Sequence, residues 1–306
     1  MANATSDAVL VTGGNSGIGL ECARELARNG WRVLIASRNR AASEAAARGI
    51  SGQVEVHELD LASRDSVRAL VSHLTSRAVP LRALVCNSGL QFNHGPKLSS
   101  DGYELTFAVN HLGHFLLANL LLDTLAAHAP SRIVVVASGV HDPAMRTGMP
   151  KPAIDDLDVY AATGGPKRGE FNGRLAYVNS KLANLWFAYE LARRCAGRGI
   201  TVNGWEPGLV PGSGLARDYP AALQFVWNWV LPGIAAAVAP FFPAVSTARR
   251  SGRDLARMVM DPALEKTTGK YFPSHTRWRE APSSTESYDR ARAEALWDAS
   301  LRMSRL

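Results

Sequence analysis

Only three cysteines, Cys22, Cys86 and Cys195, occur in 306 residues. They are far apart, match no metal-ligand spacing and leave an odd count, so neither a disulfide framework nor a cysteine-held metal is expected. Each falls in an apolar pattern and reads as a buried, reduced thiol. The N-terminus lacks a basic region followed by an apolar one, so no signal peptide is read there and a cytoplasmic protein is expected. Repeats and linkers are also missing, which favours a single domain over residues 1–306. Charge is missing from one long stretch: no Asp, Glu, Lys or Arg lies within 219–248. The chain as a whole carries a formal +7. Its basic residues are scattered rather than gathered into a tract, so nucleic acid is not an expected partner. Such a balance instead helps recruit an anionic cofactor or substrate.

What the sequence does contain is organised by its strands. Val9-Leu10-Val11 is an apolar run ending in Thr12-Gly13-Gly14-Asn15-Ser16-Gly17-Ile18-Gly19, and a helical pattern follows through Cys22, Leu26 and Ala27 to a stop at Asn29-Gly30. Strand, glycine-rich turn and helix form the unit that seats an anion at a helix N-terminus, where unpaired N–H groups and the helix dipole favour negative charge. Further apolar runs predict strands at 31–36, 53–59, 81–86, 132–137, 200–205 and 268–272. Helical patterns lie between them, including long ones at about 101–127 and 174–195, and a terminal helix is predicted over 286–301. A Pro- and Gly-rich loop fills 141–173. Alternating strands and helices, with the strands continuously apolar, imply an α/β fold. Its sheet is doubly wound and mostly parallel, with helices on both faces. Such sheets bind ligands beyond the carboxyl ends of their strands. Gly13, Arg38, Asp60, Asn87 and Ser138 each follow a strand, so one site is expected.

Tyr177-Val178-Asn179-Ser180-Lys181 sets a tyrosine and a lysine at i and i+4 on one helical face. A free tyrosine titrates near ~10. A neighbouring cation favours the phenolate and moves the phenol toward general acid–base work at neutral pH. Alone, the pair is common on solvated helices. Together with the glycine-rich turn, Ser138 at a strand end and Asn110, it is not expected by chance.

At these residues the chain resembles the short-chain dehydrogenase/reductase family over about residues 7–215. Thr12 through Gly19, Asn87-Ser88-Gly89, Asn110, Ser138, Tyr177/Lys181 and Pro207-Gly208 follow the family's motifs in order. The nearer resemblance is to retinol-dehydrogenase-like and protochlorophyllide-reductase-like members, through Val109-Asn110-His111-Leu112-Gly113-His114-Phe115 and Ser-Lys-Leu-Ala-Asn at 180–184. The resemblance implies a Rossmann fold in which Tyr177 exchanges a proton with the substrate oxygen and Ser138 hydrogen-bonds the same oxygen. Lys181 would contact the nicotinamide ribose and lower the Tyr177 pKa, and Asn110 would hold a proton-relay water. Gly13, Asn15, Ser16, Gly17, Ile18, Gly19, Asn87, Gly89, Tyr177, Lys181, Pro207, Gly208 and Val210 would bind cofactor, with Asp60 on the adenine side and Leu61 supplying backbone. Gly212 stands where relatives often have threonine, leaving Ser213 or backbone to hold the carboxamide. His111 and His114, three apart without a third ligand, read as packing or polar residues and not as a metal site.

Three readings concern partners. At the end of the second strand, Ser37-Arg38 offers a guanidinium in place of a carboxylate that would repel a 2′-phosphate, so NADP is the expected cofactor; Arg40 reads as a solvated surface residue. The charge-free stretch, with Pro220, Pro232, Pro240 and Pro243, is expected to be a hinged apolar substrate lid within an insertion at about 209–248, with membrane contact as the lesser alternative. Its Phe225, Trp227, Trp229, Ile234, Phe241 and Phe242 suggest a bulky hydrophobic carbonyl or alcohol substrate such as a retinoid, steroid or polyketide-like ketone. Reduction of a carbon–carbon double bond is the alternative chemistry, and a non-catalytic NADP-sensing module the alternative class. Homo-oligomerisation through the helices at 101–127 and 174–195 is possible, unless the C-terminal region blocks it. If Arg38 pairs with a 2′-phosphate, the protein binds NADPH more tightly than NADH, and Arg38→Ala narrows the gap by about 1.5–3 kcal/mol. Fluorescence titration with both cofactors checks this, and tighter NADH binding by the unmutated protein would reject it.

Overall fold

The computed structural model describes residues 7–276 and 279–306. Seven strands form one sheet: β1 (Ala8–Thr12), β2 (Arg32–Ser37), β3 (Val54–Glu58), β4 (Leu81–Cys86), β5 (Ser131–Val136), β6 (Ile200–Glu206) and β7 (Tyr271–Pro273). Their order is β3-β2-β1-β4-β5-β6-β7, and every neighbouring pair is parallel. Central β1 shows why its sequence is apolar throughout. Ala8 and Leu10 pack on one side with Val67, Phe115, Leu117 and Leu191. Val9 and Val11 pack on the other with Cys22, Leu26, Leu255 and Val259. Helices cover both faces, so neither side of the strand meets water. The strand order reverses between β1 and β4, and that is where a crevice opens beyond the strand ends.

The main helices are α1 (Gly17–Arg28), α2 (Arg40–Arg48), α3 (Arg64–Ser76), α4 (Leu105–Ala127), α5 (Leu157–Thr163), α6 (Gly173–Arg194), α7 (Ala221–Val238), α8 (Ala248–Met260) and α9 (Arg290–Ser304). On one face α1 lies against α8 so closely that a Cβ on Gly252 would stand 2.3 Å from the Glu21 Cβ. On the other face lie α3, α4 and α6, and α9 covers the outer side of α6. Trp297 of α9 sets its ring centroid 4.8 Å from that of Phe115 and takes the Arg194 guanidinium at 4.4 Å. The helices read from sequence as possible dimer surfaces therefore carry the chain's own C-terminal helix.

Three elements differ from the sequence expectation. Helix α4 starts at 105 rather than 101, because the buried Glu104 carboxylate caps it by accepting from the Thr106 and Phe107 amides. It also widens into a five-residue π turn at Ala108–Leu112, centred on Asn110. The 141–173 segment is not structureless: it contains α5, anchored by Tyr160, whose hydroxyl donates to the Ala176 carbonyl at 2.9 Å. The proline-bearing stretch forms one continuous helix, α7, rather than a hinged flap. Pro220 precedes its first residue, and Pro240 and Pro243 follow its last. One residue separates Pro232 from a second π turn, Val226–Val230, which accommodates the missing N–H.

Trp297 is buried against Phe115 and Phe187. Trp297→Ala should cost about 3–5 kcal/mol of stability, the range for a large aromatic deleted from a packed core. Urea unfolding measures it, and a loss below about 1 kcal/mol, the range of surface substitutions, would mean that α9 does not hold α6 in place.

Candidate active site

A cleft of about 440 Å³ lies beyond the carboxyl ends of the strands. It is lined by Gly13, Asn15, Ser16, Gly17, Ile18, Gly19, Arg38, Asp60, Leu61, Asn87, Gly89, Ser138, Tyr177, Lys181, Pro207, Gly208 and Val210, as well as by Ser37, Ser88, Ser213 and Gly214. Residues from seven separate segments thus meet in one place. Among the residues given a catalytic or cofactor-binding role from sequence, Asn110 alone does not line it.

The first half of the cleft is built from backbone. Ser16 occupies the N-cap of α1 without making a side-chain cap, leaving the first-turn N–H groups facing the cleft. Gly13 and Gly17 take φ of +66° and +54°, and a Cβ on Gly19 would collide with the Gly13 carbonyl oxygen at 2.4 Å. Only glycine allows the helix to approach its own turn so closely. Beneath the turn, Thr12 Oγ1 accepts from the Asn87 and Ser88 amides at 2.9 and 3.0 Å, and Asn87 Nδ2 donates to the Thr12 carbonyl at 2.9 Å. His114 completes this junction. Its Nδ1–H donates to the Asn110 carbonyl at 3.1 Å, leaving Nε2 to accept from the Thr12 hydroxyl at 2.9 Å. Burial holds His114 neutral, lowering its pKa to about 4. His111, also neutral by burial, pairs with Ser300 at 2.8 Å and stacks on Phe107. Both histidines act as packed polar residues.

Side chains on this half are consistent with a nicotinamide dinucleotide. Arg38 is exposed at the lip, whereas Arg40 turns away to an ion pair with Glu44 at 2.8 Å. Asp60 Oδ1 accepts from the Ala62 amide at 3.0 Å, which fixes the turn after β3. The Ser213 hydroxyl is buried in the cleft wall without a hydrogen-bond partner, an unmet capacity that a ligand carboxamide could satisfy.

At the other end, Ser138 and Tyr177 come together although 39 positions separate them in sequence. Tyr177 is buried, and burial is the leading cause that pushes its phenol up to about 12. A hydrogen bond from Ser138 pulls the other way, and the negative charge of Glu206 adds to the rise. Lys181 donates to the Val136 carbonyl at 3.2 Å and lies 5.6 Å from the Tyr177 ring centroid. Burial lowers its pKa to about 8. Burial thus moves the tyrosine opposite to the lowering that the family resemblance implies, and the phenol is a protonated donor at neutral pH. Asn110 stands behind the cleft with both of its amide hydrogens used. Its Oδ1 accepts from the Leu90 amide at 2.9 Å, and its Nδ2 donates to the Leu90 carbonyl and to Ser180 Oγ, both at 3.0 Å. These bonds make it a positioning residue that ties the π turn to Leu90 and Ser180.

Two residues that sequence reasoning did not single out support this end. His141 Nδ1–H donates to the Ser138 carbonyl at 2.6 Å while Nε2 accepts from the Ser284 amide at 3.2 Å, fixing the turn that carries the serine. Glu206, at the end of β6, is 4% exposed and accepts from the Gly208 amide at 2.7 Å. Burial raises its pKa above the ordinary carboxylate range. In the sequence it looked like an ordinary turn residue before Pro207-Gly208.

A doubly wound parallel sheet, a glycine-rich dinucleotide turn and a Ser–Tyr–Lys group in one cleft define a nicotinamide-dependent oxidoreductase. The family described as short chain dehydrogenase matches residues 7–148. Human WW domain-containing oxidoreductase is 36% identical over 304 residues, covering 98% of this chain and 68% of its own. Human retinol dehydrogenase 12 is 36% identical over 297 residues, covering 95% and 84%. Among solved structures, a putative uncharacterized protein from Mycobacterium Paratuberculosis superimposes with a TM-score of 0.72 at 29% identity, covering 99% of this chain and 96% of that one. The chain belongs to the short-chain dehydrogenase family.

Because the Glu206 charge opposes ionisation of Tyr177, Glu206→Gln should make the phenolate easier to form. In the alcohol-oxidising direction, which needs the phenolate as base, the pH of half-maximal kcat should then move to lower pH. A pH–rate profile of both proteins checks this, and an unmoved or higher half-point would show that Glu206 does not act on the tyrosine.

Proposed function

We propose that the protein interconverts a ketone or aldehyde and the corresponding alcohol on a bulky hydrophobic small molecule, with NADP(H) as cofactor. The observation that carries this reading is the placement of the Ser138 hydroxyl and the protonated Tyr177 phenol side by side on the cleft wall. Two donors aimed at one point suit an oxygen that gains negative charge as a carbonyl is reduced. The cofactor supplies the hydride. Tyr177 gives its proton to the substrate oxygen, Ser138 holds that oxygen in line, and Lys181 keeps positive charge beneath the site.

The preference for NADP is supported by Arg38 at the lip of the cleft and by the absence of a carboxylate in Ser37-Arg38-Asn39. The substrate class is supported by the apolar insertion at the mouth. Trp227 turns inward and donates from Nε1 to the Ser213 carbonyl at 2.9 Å, beside the cleft-lining Ser213 and Gly214. An indole there offers an apolar wall to a large substrate.

Tyr177→Phe should lower ketone reduction by about a hundredfold or more while leaving NADPH affinity nearly intact, since only the proton donor is lost. Lys181→Ala should impair both. Steady-state kinetics with a panel of aromatic and aliphatic ketones, alongside NADPH titration, checks this. Substantial turnover by Tyr177→Phe would overturn the proton-donor assignment and direct attention to carbon–carbon double-bond reduction.

A further inference from the structure

Helices α4 and α7 are both long and apolar enough to cross a membrane, yet they are placed oppositely. In the most apolar stretch of α4, 78% of the residues are buried; in α7 the share is 6%. Trp229 is 76% exposed and Phe241 79%, with Phe225 and Phe242 also outward. Trp227 turns inward as described, so the rings read from sequence as one lid divide between two sides. An outward aromatic surface of this size on an uncharged segment needs a cover.

Geometry decides what kind of cover fits. The excursion leaves and returns at a single point: Leu209 pairs with Val245, and the Ser246 amide donates to the Leu209 carbonyl at 2.9 Å. With both ends tied to the same edge of the domain, α7 cannot run through a bilayer and can only lie flat on one. Charged groups flank it. Near its start, Lys97 sits 4.0 Å over the Phe92 ring and 3.9 Å from Asp218, whose other oxygen accepts from the Asn93 and His94 amides. Past its end come exposed Arg249 and then Arg250, which donates to the Ala239 carbonyl at 3.4 Å. Aromatic rings outward, no charge along the helix and two arginines past its end complement a negatively charged lipid surface.

We propose that α7 and the following Phe241-Phe242 turn form a membrane-docking face that lies in the headgroup region of an anionic phospholipid bilayer. The cleft-lining Ser213 and Gly214 adjoin the base of this helix, so docking sets the mouth of the cleft beside the lipid. If the reading of a hydrophobic substrate holds, that substrate enters from the bilayer; the docking itself requires neither substrate nor cofactor.

Co-sedimentation of the full chain with phosphatidylcholine vesicles, with and without phosphatidylserine, tests the proposal. Binding should be stronger to the serine-containing vesicles and should weaken at high salt. Trp229→Ser combined with Phe241→Ser should lower the partition coefficient on the order of tenfold or more. Arg249→Glu should lower binding to anionic vesicles about fivefold. Melting temperatures should stay unchanged, since these side chains are exposed. Failure of the unmutated protein to sediment with anionic vesicles, or undiminished sedimentation of the double variant, overturns the proposal. So does self-association in sedimentation velocity that the double variant abolishes without any vesicle binding, because the face would then belong to a second copy of the chain.

Discussion

The burial of α6 on all sides is the constraint on which the rest of the site depends. Of its 22 residues 19 are buried, although the helix carries Asn179, Ser180, Lys181, Asn184 and Glu190 besides its tyrosine. A buried polar group without a partner is costly, and each of these side chains has a specific neighbour, although Asn184 Oδ1 has none of its own. Asn179 exchanges two hydrogen bonds with the Ala153 backbone. Ser180 bonds the Tyr177 carbonyl and Asn110. Lys181 and Asn184 both donate to the Val136 carbonyl. Glu190 gathers Arg193 and Arg194. These contacts fix the rotation of the helix, and with it the direction in which Tyr177 faces.

The same burial sets the electrostatics. Removing water from around the phenol and the ammonium disfavours the charged form of each, moving one pKa up and the other down. Whatever charge develops in the cleft meets oriented donors rather than solvent, which is the condition under which a fixed hydrogen bond has most effect on a reaction. The junction of Thr12, Asn87, His114 and Asn110 serves the cofactor half of the cleft in the same way, joining two strand ends to the π turn of α4 without any exposed charge.

How much of this was legible in the sequence follows from how local each signal is. The glycine-rich turn, the strand ends and the Tyr177–Lys181 spacing are properties of short segments, and the structure brings all of them to one cleft. Glu206 was not legible because a carboxylate at the end of a strand looks solvated; burial by distant elements, β7 among them, gives it its role. The π turn at Asn110 was hidden for a similar reason, since the amide it orients closes onto Leu90, twenty positions earlier. The prolines around α7 suggested interruption, but three of the four stand outside the helix. Once that helix is known to be continuous, Trp227 and Trp229 must face different ways, because two positions are more than half a turn.

The wrapping of α9 around α6 has a consequence in time. Arg64 and Arg68 of α3 donate to the carbonyls of Met303, Ser304 and Arg305, so the C-terminal helix is tied at its far end as well as along its length. Strands β1 to β5 and their helices can associate as the chain emerges during synthesis. The outer side of α6 stays uncovered until α9 has been made, more than a hundred residues after Tyr177. The order of assembly therefore runs opposite to the order of function: the glycine-rich turn can form first, and the helix that presents the proton donor is seated only when one of the last segments closes over it.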